Sequence, residues 1–435
     1  MRKTSFALAL LTAAVLTACG GTDPRPGDQT PKTKFSQQVA FGDSLSDVGT
    51  YAVGGVAVQG GGQYTINGDM TSVNPELTGK NFTAVIAAQL GLPAPCAAQT
   101  GLLGTASTNP ALNFSVPIVT NANCFNYAQG GARVTNPVGP GNRALAAANA
   151  PVVLGATTVP VVTQIANHLA KVGGKFSGTE LVIVTTGGND VLEQLGELSS
   201  GATNPLTAQQ AIAAAATAEA QKGSAAEAII GAAIRAAVGA GNTAAAANAA
   251  AIGAKAGADA QAAGLKYSAD HGADAVKALG TAGAELAVLV KTQILAKGAN
   301  YVVVNNLPDV SIAPSVLAQS TDTQKLVATM VATFNQQLKA GLGDDAKLLY
   351  VDLATVSHDQ AVNPAPYGLT VTNKPACDLS TAKNPLASSL VCNKNNLISG
   401  DVSHYMFADG VHPTPFEYAL IARYILLQMS GKGWI

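Results

Sequence analysis

Three short polar segments of the chain carry the residue types needed to attack an ester carbonyl. Ser44 lies in the segment Phe41–Asp47, directly after an apolar run. Asn189 also follows an apolar run, and Asp409 precedes His412 by three residues near the C-terminus. A serine hydroxyl is a useful nucleophile only when a base takes its proton, and an aspartate can orient the histidine that does so. These residues therefore predict a catalytic triad, with Ser44 as nucleophile, His412 as general base and Asp409 as its orienting group.

His404 is the nearest competitor for the role of base, because Asp401 also precedes it by three residues. It lacks the helix start that follows His412. There Thr414 can cap a helix, and Glu417 completes a capping-box pattern. A helix that starts directly after the histidine fixes where the imidazole lies, so we expect His412 to be the base.

Negative charge that develops on a carbonyl oxygen needs hydrogen-bond donors that are already in place. The candidates are the backbone N–H of Ser44, the side-chain amide of Asn189, and an N–H of Gly130 or Gly131 in the segment Asn126–Ala132. Plainer roles stay open for each of them. Ser44 could cap a following helix, Asn189 could be a turn residue, and the glycine pair could form a tight turn.

The elements that must position these residues are visible as alternating patterns. Continuous apolar runs favour strands that are covered on both faces, as in a parallel sheet. Their alternation with helical patterns predicts a three-layer α/β/α fold with a mainly parallel central sheet. The predicted strands are Leu181–Thr186, Tyr301–Asn305 and Lys347–Asp352, and the predicted helices are Phe82–Leu90, Ala282–Ala296, Gln324–Leu342 and Pro415–Gln428.

Composition excludes several classes of function. The 435 residues are 48% hydrophobic and 12% charged, with a formal net charge of −1, so no basic surface is available for nucleic acid. The G-x-S-x-G motif of common α/β-hydrolases is absent, as are the H-E-x-x-H, P-loop and G-x-G-x-x-G motifs. We expect no cofactor and no metal.

Four segments resemble, in family order, the sequence blocks of the GDSL or SGNH hydrolase family: Gly42–Ser46, Asn126–Ala132, Gly187–Asp190 and Asp409–His412. The resemblance spans about residues 39–427 and implies a flavodoxin-like fold. It also implies an oxyanion hole formed by the Ser44 N–H, the Asn189 amide and the Gly131 N–H, with Gly130 as the alternative. The implied activity is hydrolysis of carboxylic acyl esters through an acyl-enzyme, of the esterase, lipase or lysophospholipase type.

Other functions stay open for the same residues. An acyltransferase or a deacetylase of carbohydrates could use the same site with a different acceptor or substrate. A member of another class, a non-catalytic envelope lipoprotein, could keep the fold only as a binding scaffold. We expect a small-molecule or lipid acyl ester as substrate and a monomeric protein.

The N-terminus has the pattern of an export signal. Arg2 and Lys3 precede the apolar stretch Ser5–Thr17, which is too short to span a bilayer. A small residue before Cys19 resembles the cleavage site of bacterial lipoproteins, and an ordinary secretory signal is the alternative. Residues 1–18 are therefore expected to be removed, leaving lipid on Cys19.

Gly20 rather than aspartate follows the cysteine, and the resemblance to enterobacterial sorting then implies anchoring at the outer membrane. Residues 19–38 are expected to form a flexible tether, and residues 39–435 one hydrolase domain. The domain carries an Ala-rich helical insert at about residues 205–280, which could be a lid over the site or a spacer at its edge.

Four further cysteines are an even number, which suggests disulfides in an exported protein. Local pairing, Cys96 with Cys124 and Cys377 with Cys392, closes two polar loops and is the pairing we favour. The other two pairings and free thiols stay open.

Overall fold

The structure is a computed structural model that describes residues 33–68, 79–103, 115–140, 158–202, 266–267 and 269–435. The predicted signal peptide, Cys19 and residues 19–32 of the predicted tether lie outside the described residues, whereas Phe35 and Gln38 at the end of that tether are buried in the domain. Most of the predicted Ala-rich insert also lies outside the described residues.

The central sheet is parallel throughout. Its strands are paired in the order β1 (Gln38–Gly42), β2 (Leu181–Thr185), β3 (Tyr301–Asn305) and β4 (Leu348–Val351). Residues 125–129 run along the other edge of β1 through backbone hydrogen bonds. With that segment counted, the order is the flavodoxin-like one, 2-1-3-4-5. The predicted fold class is confirmed.

Helices cover both faces of this sheet, because alternate strand residues point to opposite sides. Val182 and Val184 of β2 pack into one hydrophobic core, whereas Leu181 and Ile183 pack into the other. The helices are α1 (Phe82–Gln89), α2 (Val161–Lys171), α3 (Gly188–Ala202), α4 (residues 269–289), α5 (Thr321–Leu342), α6 (Leu353–Val362) and α7 (Pro415–Gly431). Helices α2 to α5 contribute to the first core, and α1 and α7 to the second.

Smaller elements complete the described chain. Two of them are short sheets that the sequence did not predict, since their strands are short and partly polar. They are an antiparallel pair (Gln99–Leu103 with Ser115–Thr120) and a parallel pair (Val371–Pro375 with Tyr405–Phe407). The rest are the helices Gly54–Val58 and Pro314–Leu317, a π-helical turn Val290–Leu295, and the 3-10 turns Val310–Ile312, Ala365–Tyr367 and Ser389–Val391.

The end of the predicted insert belongs to the packed structure. Residues 269–280 lie in α4, and Ala275 and Leu279 are buried in the first core. Alanine-rich composition made this stretch look separate, but its buried face is continuous with the rest of the helix. None of the helices in the described ranges has the length and apolar character needed to cross a bilayer.

The cysteines are paired as the sequence favoured. Cys96 is bonded to Cys124 and Cys377 to Cys392, with Cα atoms 5.0 and 6.1 Å apart. The second disulfide lies in a small core with Ile66.

Candidate active site

Ser44 lies in a tight turn at the carboxyl end of β1. The strand ends at Gly42, where a side chain is excluded because a Cβ would lie 2.1 Å from the Thr185 carbonyl oxygen of β2. The N–H of Asp47 then donates to the Asp43 carbonyl at 3.1 Å and closes the turn. The residues after Ser44 form this turn and not a helix. The alternative in which Ser44 caps a helix is therefore wrong.

The turn brings Ser44 to His412, which is 368 positions later in the chain. The Nε2 atom of His412 lies 2.9 Å from the Ser44 Oγ atom. On the other side of the imidazole, Nδ1 lies 2.9 Å from Oδ1 and 2.8 Å from Oδ2 of Asp409. A neutral imidazole with its proton on Nδ1 can donate to the carboxylate and accept the serine proton at Nε2.

Backbone donors hold the Asp409 carboxylate in place. Oδ1 accepts from the N–H groups of Val411 and His412 at 3.0 and 2.8 Å, and Oδ2 accepts from the Ser389 N–H at 2.7 Å. Burial by itself would raise the pKa of Asp409, but the charge and hydrogen bond of His412 and these backbone donors hold it well below its ordinary value. The carboxylate is therefore ionised and can stabilise an imidazolium.

The structure does not bring His404 to Ser44. The His404 ring packs edge-on against Phe416 at 4.4 Å, and its Nδ1 contacts the Ser403 hydroxyl at 3.2 Å. Asp401 is exposed and accepts from the Ser403 N–H. The shared three-residue spacing thus produces a triad geometry only at Asp409 and His412.

The helix start after His412 differs from prediction in one respect. Thr414 caps α7 as expected, accepting from the Glu417 N–H at 3.2 Å. The reciprocal half of the capping box is absent, because the Thr414 N–H donates to the Met406 carbonyl. The Glu417 side chain is instead buried beside Gln360, and this burial raises the pKa of its carboxyl well above the ordinary value.

The candidate oxyanion donors differ in whether they already donate a hydrogen bond within the protein. The Gly130 N–H donates to the Asp47 carboxylate at 2.9 Å, so it is already used. The N–H groups of Ser44 and Gly131 have no acceptor within the described parts of the chain. The Asn189 amide donates one hydrogen to the Ala132 carbonyl at 2.9 Å, and an amide has two. This arrangement favours Gly131 over Gly130.

Polar contacts connect the loops that carry these donors. The Asn126 amide donates to the Ser46 carbonyl at 2.8 Å, which ties the glycine segment to the nucleophile turn. Arg133 forms an ion pair with Asp190 at 2.9 Å, which ties the same segment to the start of α3. Burial raises the pKa of Asp190 in spite of the arginine.

An apolar pocket opens at Ser44, Asn189 and His412. It takes in about 870 Å³ of space, including the open solvent at its mouth. Gly131 is not among the residues that line it. Apolar side chains from both cores form most of the wall: Leu45, Phe82, Leu192, Leu307, Val310, Ile312, Leu353, Met406, Phe407, Val411, Tyr418 and Ile421. Such a wall suits an aliphatic group attached to a carbonyl at Ser44.

Sequence reasoning missed two residues that contact the triad. The Ser389 N–H holds Asp409, and the Tyr64 ring lies 4.7 Å from the His412 ring. Nothing in the local sequence marks either residue as functional. The nearby Cys392 and the glycines before Tyr64 indicate only that both segments are tightly turned.

Comparisons with known proteins point to one family. The family profile described as GDSL-like Lipase/Acylhydrolase matches residues 257–425, a range that contains Asp409 and His412 but not Ser44 or Asn189. A GDSL esterase/lipase of Arabidopsis thaliana is 29% identical over 140 residues, which are 30% of this chain and 35% of that protein. A second one is 28% identical over 135 residues, 29% of this chain and 36% of that protein.

A third relative from the same plant is the anther-specific proline-rich protein APG. It is 33% identical over 100 residues, which are 21% of this chain and 18% of that protein. The chain therefore spans about a third or less of the length of these curated relatives.

Proposed function

We propose that the chain is a serine hydrolase of the GDSL-like lipase and acylhydrolase type that cleaves carboxylic acyl esters, a proposal supported by the family profile that matches residues 257–425. The observation that carries the proposal is the contact of 2.9 Å between His412 Nε2 and Ser44 Oγ, with Asp409 on Nδ1, at the mouth of an apolar pocket. Hydrolysis of acyl esters is the activity of the family, and these residues have the geometry that it needs.

The first half of the reaction forms an acyl-enzyme. The Ser44 Oγ atom bonds to the ester carbonyl carbon as its proton passes to His412 Nε2. The negative charge on the former carbonyl oxygen is met by the N–H groups of Ser44 and Gly131 and by the Asn189 amide. The bond to the alcohol oxygen then breaks, and the imidazolium gives its proton to that oxygen.

The second half of the reaction releases the acid. Water attacks the acyl carbon, His412 takes its proton, and the same proton returns to the Ser44 oxygen as the carbon–oxygen bond breaks. Ester and water thus become acid and alcohol, and the enzyme is regenerated. Asp409 stays ionised throughout and stabilises the imidazolium in both halves.

The wall of the pocket favours an aliphatic acyl group. Leu45, Phe82 and Ile421 offer apolar contacts to a chain, whereas a sugar would leave its hydroxyl groups unpaired there. This observation favours the esterase or lipase reaction over a carbohydrate deacetylase.

The test compares Ser44→Ala with Ser46→Ala on a panel of p-nitrophenyl acyl esters of increasing chain length. Ser46 is the matched control, because it is buried two residues away and its hydroxyl makes no hydrogen bond within the described structure. Ser44→Ala is expected to lose about 10⁴-fold or more of kcat. Ser46→Ala is expected to stay near wild type.

A fluorophosphonate probe checks the same serine directly. It is expected to label the wild type and Ser46→Ala but not Ser44→Ala. Full hydrolysis by Ser44→Ala, or no labelling of the folded wild type, would refute the proposal and leave the non-catalytic scaffold as the better hypothesis. Product analysis with an added alcohol separates hydrolysis from acyl transfer.

We further propose export and lipid anchoring through Cys19, at the outer membrane. The sequence around Cys19 supports this proposal, and two disulfides fit an oxidising compartment. Expression of Cys19→Ala in a bacterial host tests it by membrane fractionation and by mass spectrometry of the N-terminal peptide. The variant should leave the membrane fraction, and an unmodified Cys19 in the wild type would count against anchoring.

A further inference from the structure

Tyr64 lies between two parts of the candidate site. Its ring centroid is 4.7 Å from that of His412, with 36° between the ring planes. The aromatic face thus covers one side of the imidazole, whose two nitrogens face Ser44 and Asp409. Burial raises the pKa of Tyr64 well above its ordinary value, so the phenol is neutral.

The far end of the same side chain lies against the glycine segment. A Cβ built on Gly130 would lie 2.1 Å from the Tyr64 hydroxyl oxygen and 2.3 Å from its Cζ atom. Gly130 is not one of the glycines with positive φ, so its backbone conformation is open to alanine. Tyr64 is therefore what excludes a side chain at Gly130, next to the free N–H of Gly131.

The loop that carries Tyr64 is fastened to the triad on both sides. The Tyr64 carbonyl accepts from the Tyr418 hydroxyl at 3.2 Å, and the Thr65 hydroxyl donates to the Pro413 carbonyl, directly after His412, at 3.0 Å. The Asn67 amide donates to the Ser389 carbonyl at 3.0 Å, and the Ser389 N–H holds Asp409. The ring position is thus coupled to the histidine and to its aspartate.

We propose that Tyr64 is a positioning residue, which holds the His412 ring toward Ser44 and sets the spacing between that ring and the Gly130–Gly131 backbone. The inference rests on the proposed function. The contacts of Nδ1 with Asp409 and of Nε2 with Ser44 leave the imidazole free to turn about the line between them, and an aromatic ring packed beside it removes that freedom. The same face attracts the positive charge that the imidazole carries during the reaction.

Tyr64 acts on the chemical step and not on ester binding. It does not line the apolar pocket, so its loss leaves the acyl wall intact. Small misplacements of a catalytic group lower rates steeply, by up to about 100-fold for 1 Å. Its removal should therefore lower kcat and leave KM nearly unchanged.

The first experiment compares Tyr64→Phe with Tyr64→Leu in the full chain, by acyl-ester kinetics and thermal melting. Phe keeps the ring and is expected within about threefold of wild-type kcat. Leu is expected to lose about 10- to 100-fold in kcat with KM within about twofold. Tyr301→Leu is the control, because it removes an aromatic that packs against Phe35 and Trp434 in the second core instead of the site. It should leave kcat unchanged.

The second experiment pairs Gly130→Ala with Tyr64→Ala and measures the rate of fluorophosphonate labelling per folded protein. Gly130→Ala alone forces the Tyr64 ring out of its position beside His412 and is expected to slow labelling about tenfold or more. In the Tyr64→Ala background the same change meets open space, so the expected further loss is less than about twofold. This coupling also separates positioning from a general loss of stability.

Equal effects of Gly130→Ala in both backgrounds would overturn the inference. So would a Tyr64→Phe variant as slow as Tyr64→Leu, or a Tyr64→Leu variant with wild-type kcat. The proposed function fails separately, since it requires that Ser44→Ala is inactive. An inactive Ser44→Ala beside a fully active Tyr64→Leu would refute the positioning role alone.

Discussion

Asp409→Asn is the change that most directly tests the triad. An asparagine has one oxygen and one NH₂ group where the aspartate has two acceptor oxygens. At the Oδ1 position an NH₂ would face the N–H groups of Val411 and His412, whereas at Oδ2 it would face only that of Ser389. The second orientation loses fewer hydrogen bonds, so we expect the NH₂ group at the Oδ2 position.

This orientation reverses the imidazole tautomer. The NH₂ group would donate to His412 Nδ1, which lies 2.8 Å from Oδ2 in the native triad. The ring proton would then move to Nε2, which lies 2.9 Å from the Ser44 Oγ atom. A protonated Nε2 cannot accept the proton of Ser44. We expect kcat to fall about 10⁴-fold, as for a triad with the wrong tautomer, or about 5 kcal/mol of transition-state free energy. The unpaired Ser389 N–H should cost about 1–3 kcal/mol of folding stability.

The assay is steady-state hydrolysis of one p-nitrophenyl ester, with thermal melting to confirm that the variant is folded. Asp401→Asn is the matched control, because Asp401 stands three residues before His404 as Asp409 does before His412, but is exposed. It should keep wild-type kcat. If folded Asp409→Asn stays within about tenfold of wild type, or if Asp401→Asn loses as much, the tautomer reasoning is refuted.

Three further predictions follow from the same contacts. Asn189→Ala removes one oxyanion donor, so kcat should fall about 10²- to 10³-fold with KM little changed, and an unchanged kcat would remove this residue from the oxyanion hole. Replacing both Cys377 and Cys392 by serine releases the turn that holds Asp409. Denaturant titration should show a loss of about 3 kcal/mol in the free energy of unfolding, and kcat should fall. Replacing Cys96 and Cys124 by serine should leave kcat unchanged. Burial raises the pKa of Asp43 from 3.8 to about 7, so the folded state binds this proton more tightly and stability falls as pH rises between these values. Asp43→Asn should remove this part of the pH dependence, which is about 3 kcal/mol between pH 5 and pH 8, in unfolding titrations at these two pH values, and an unaltered difference would contradict the assignment.

Much of the fold was predictable because local patterns of apolar and polar residues determine its strands and helices. Apolar runs such as Leu181–Thr185 and Tyr301–Asn305 became buried parallel strands, since no polar side chain in them needs water. The helix boundary at Thr321 was three residues earlier than predicted, because Ser320 caps a polar first turn that apolar periodicity does not reveal. Composition misled at residues 269–280, where Ala275 and Leu279 are buried in the first core.

The candidate site likewise has a part that the sequence predicts and a part that it does not. The residue types and the Asp–His spacing could be recognised in the sequence, because few kinds of side chain can act as a nucleophile, a general base or an orienting carboxylate. The helix start after His412 favoured it over His404, although both have an aspartate three residues earlier. Gly130 and Gly131 are adjacent glycines, and no local pattern shows which of their N–H groups is free.

Sequence alone thus determined the set of groups at this site and the layered sheet that carries them. Tertiary structure decided which glycine N–H is free, through the bond from Gly130 to Asp47, and which side chain covers the imidazole. It also turned Glu417 away from its helix cap and into the protein interior. The physical reason is distance along the chain. Contacts such as Thr65 with Pro413 join residues 348 positions apart, and only a completed fold brings such partners within hydrogen-bonding range.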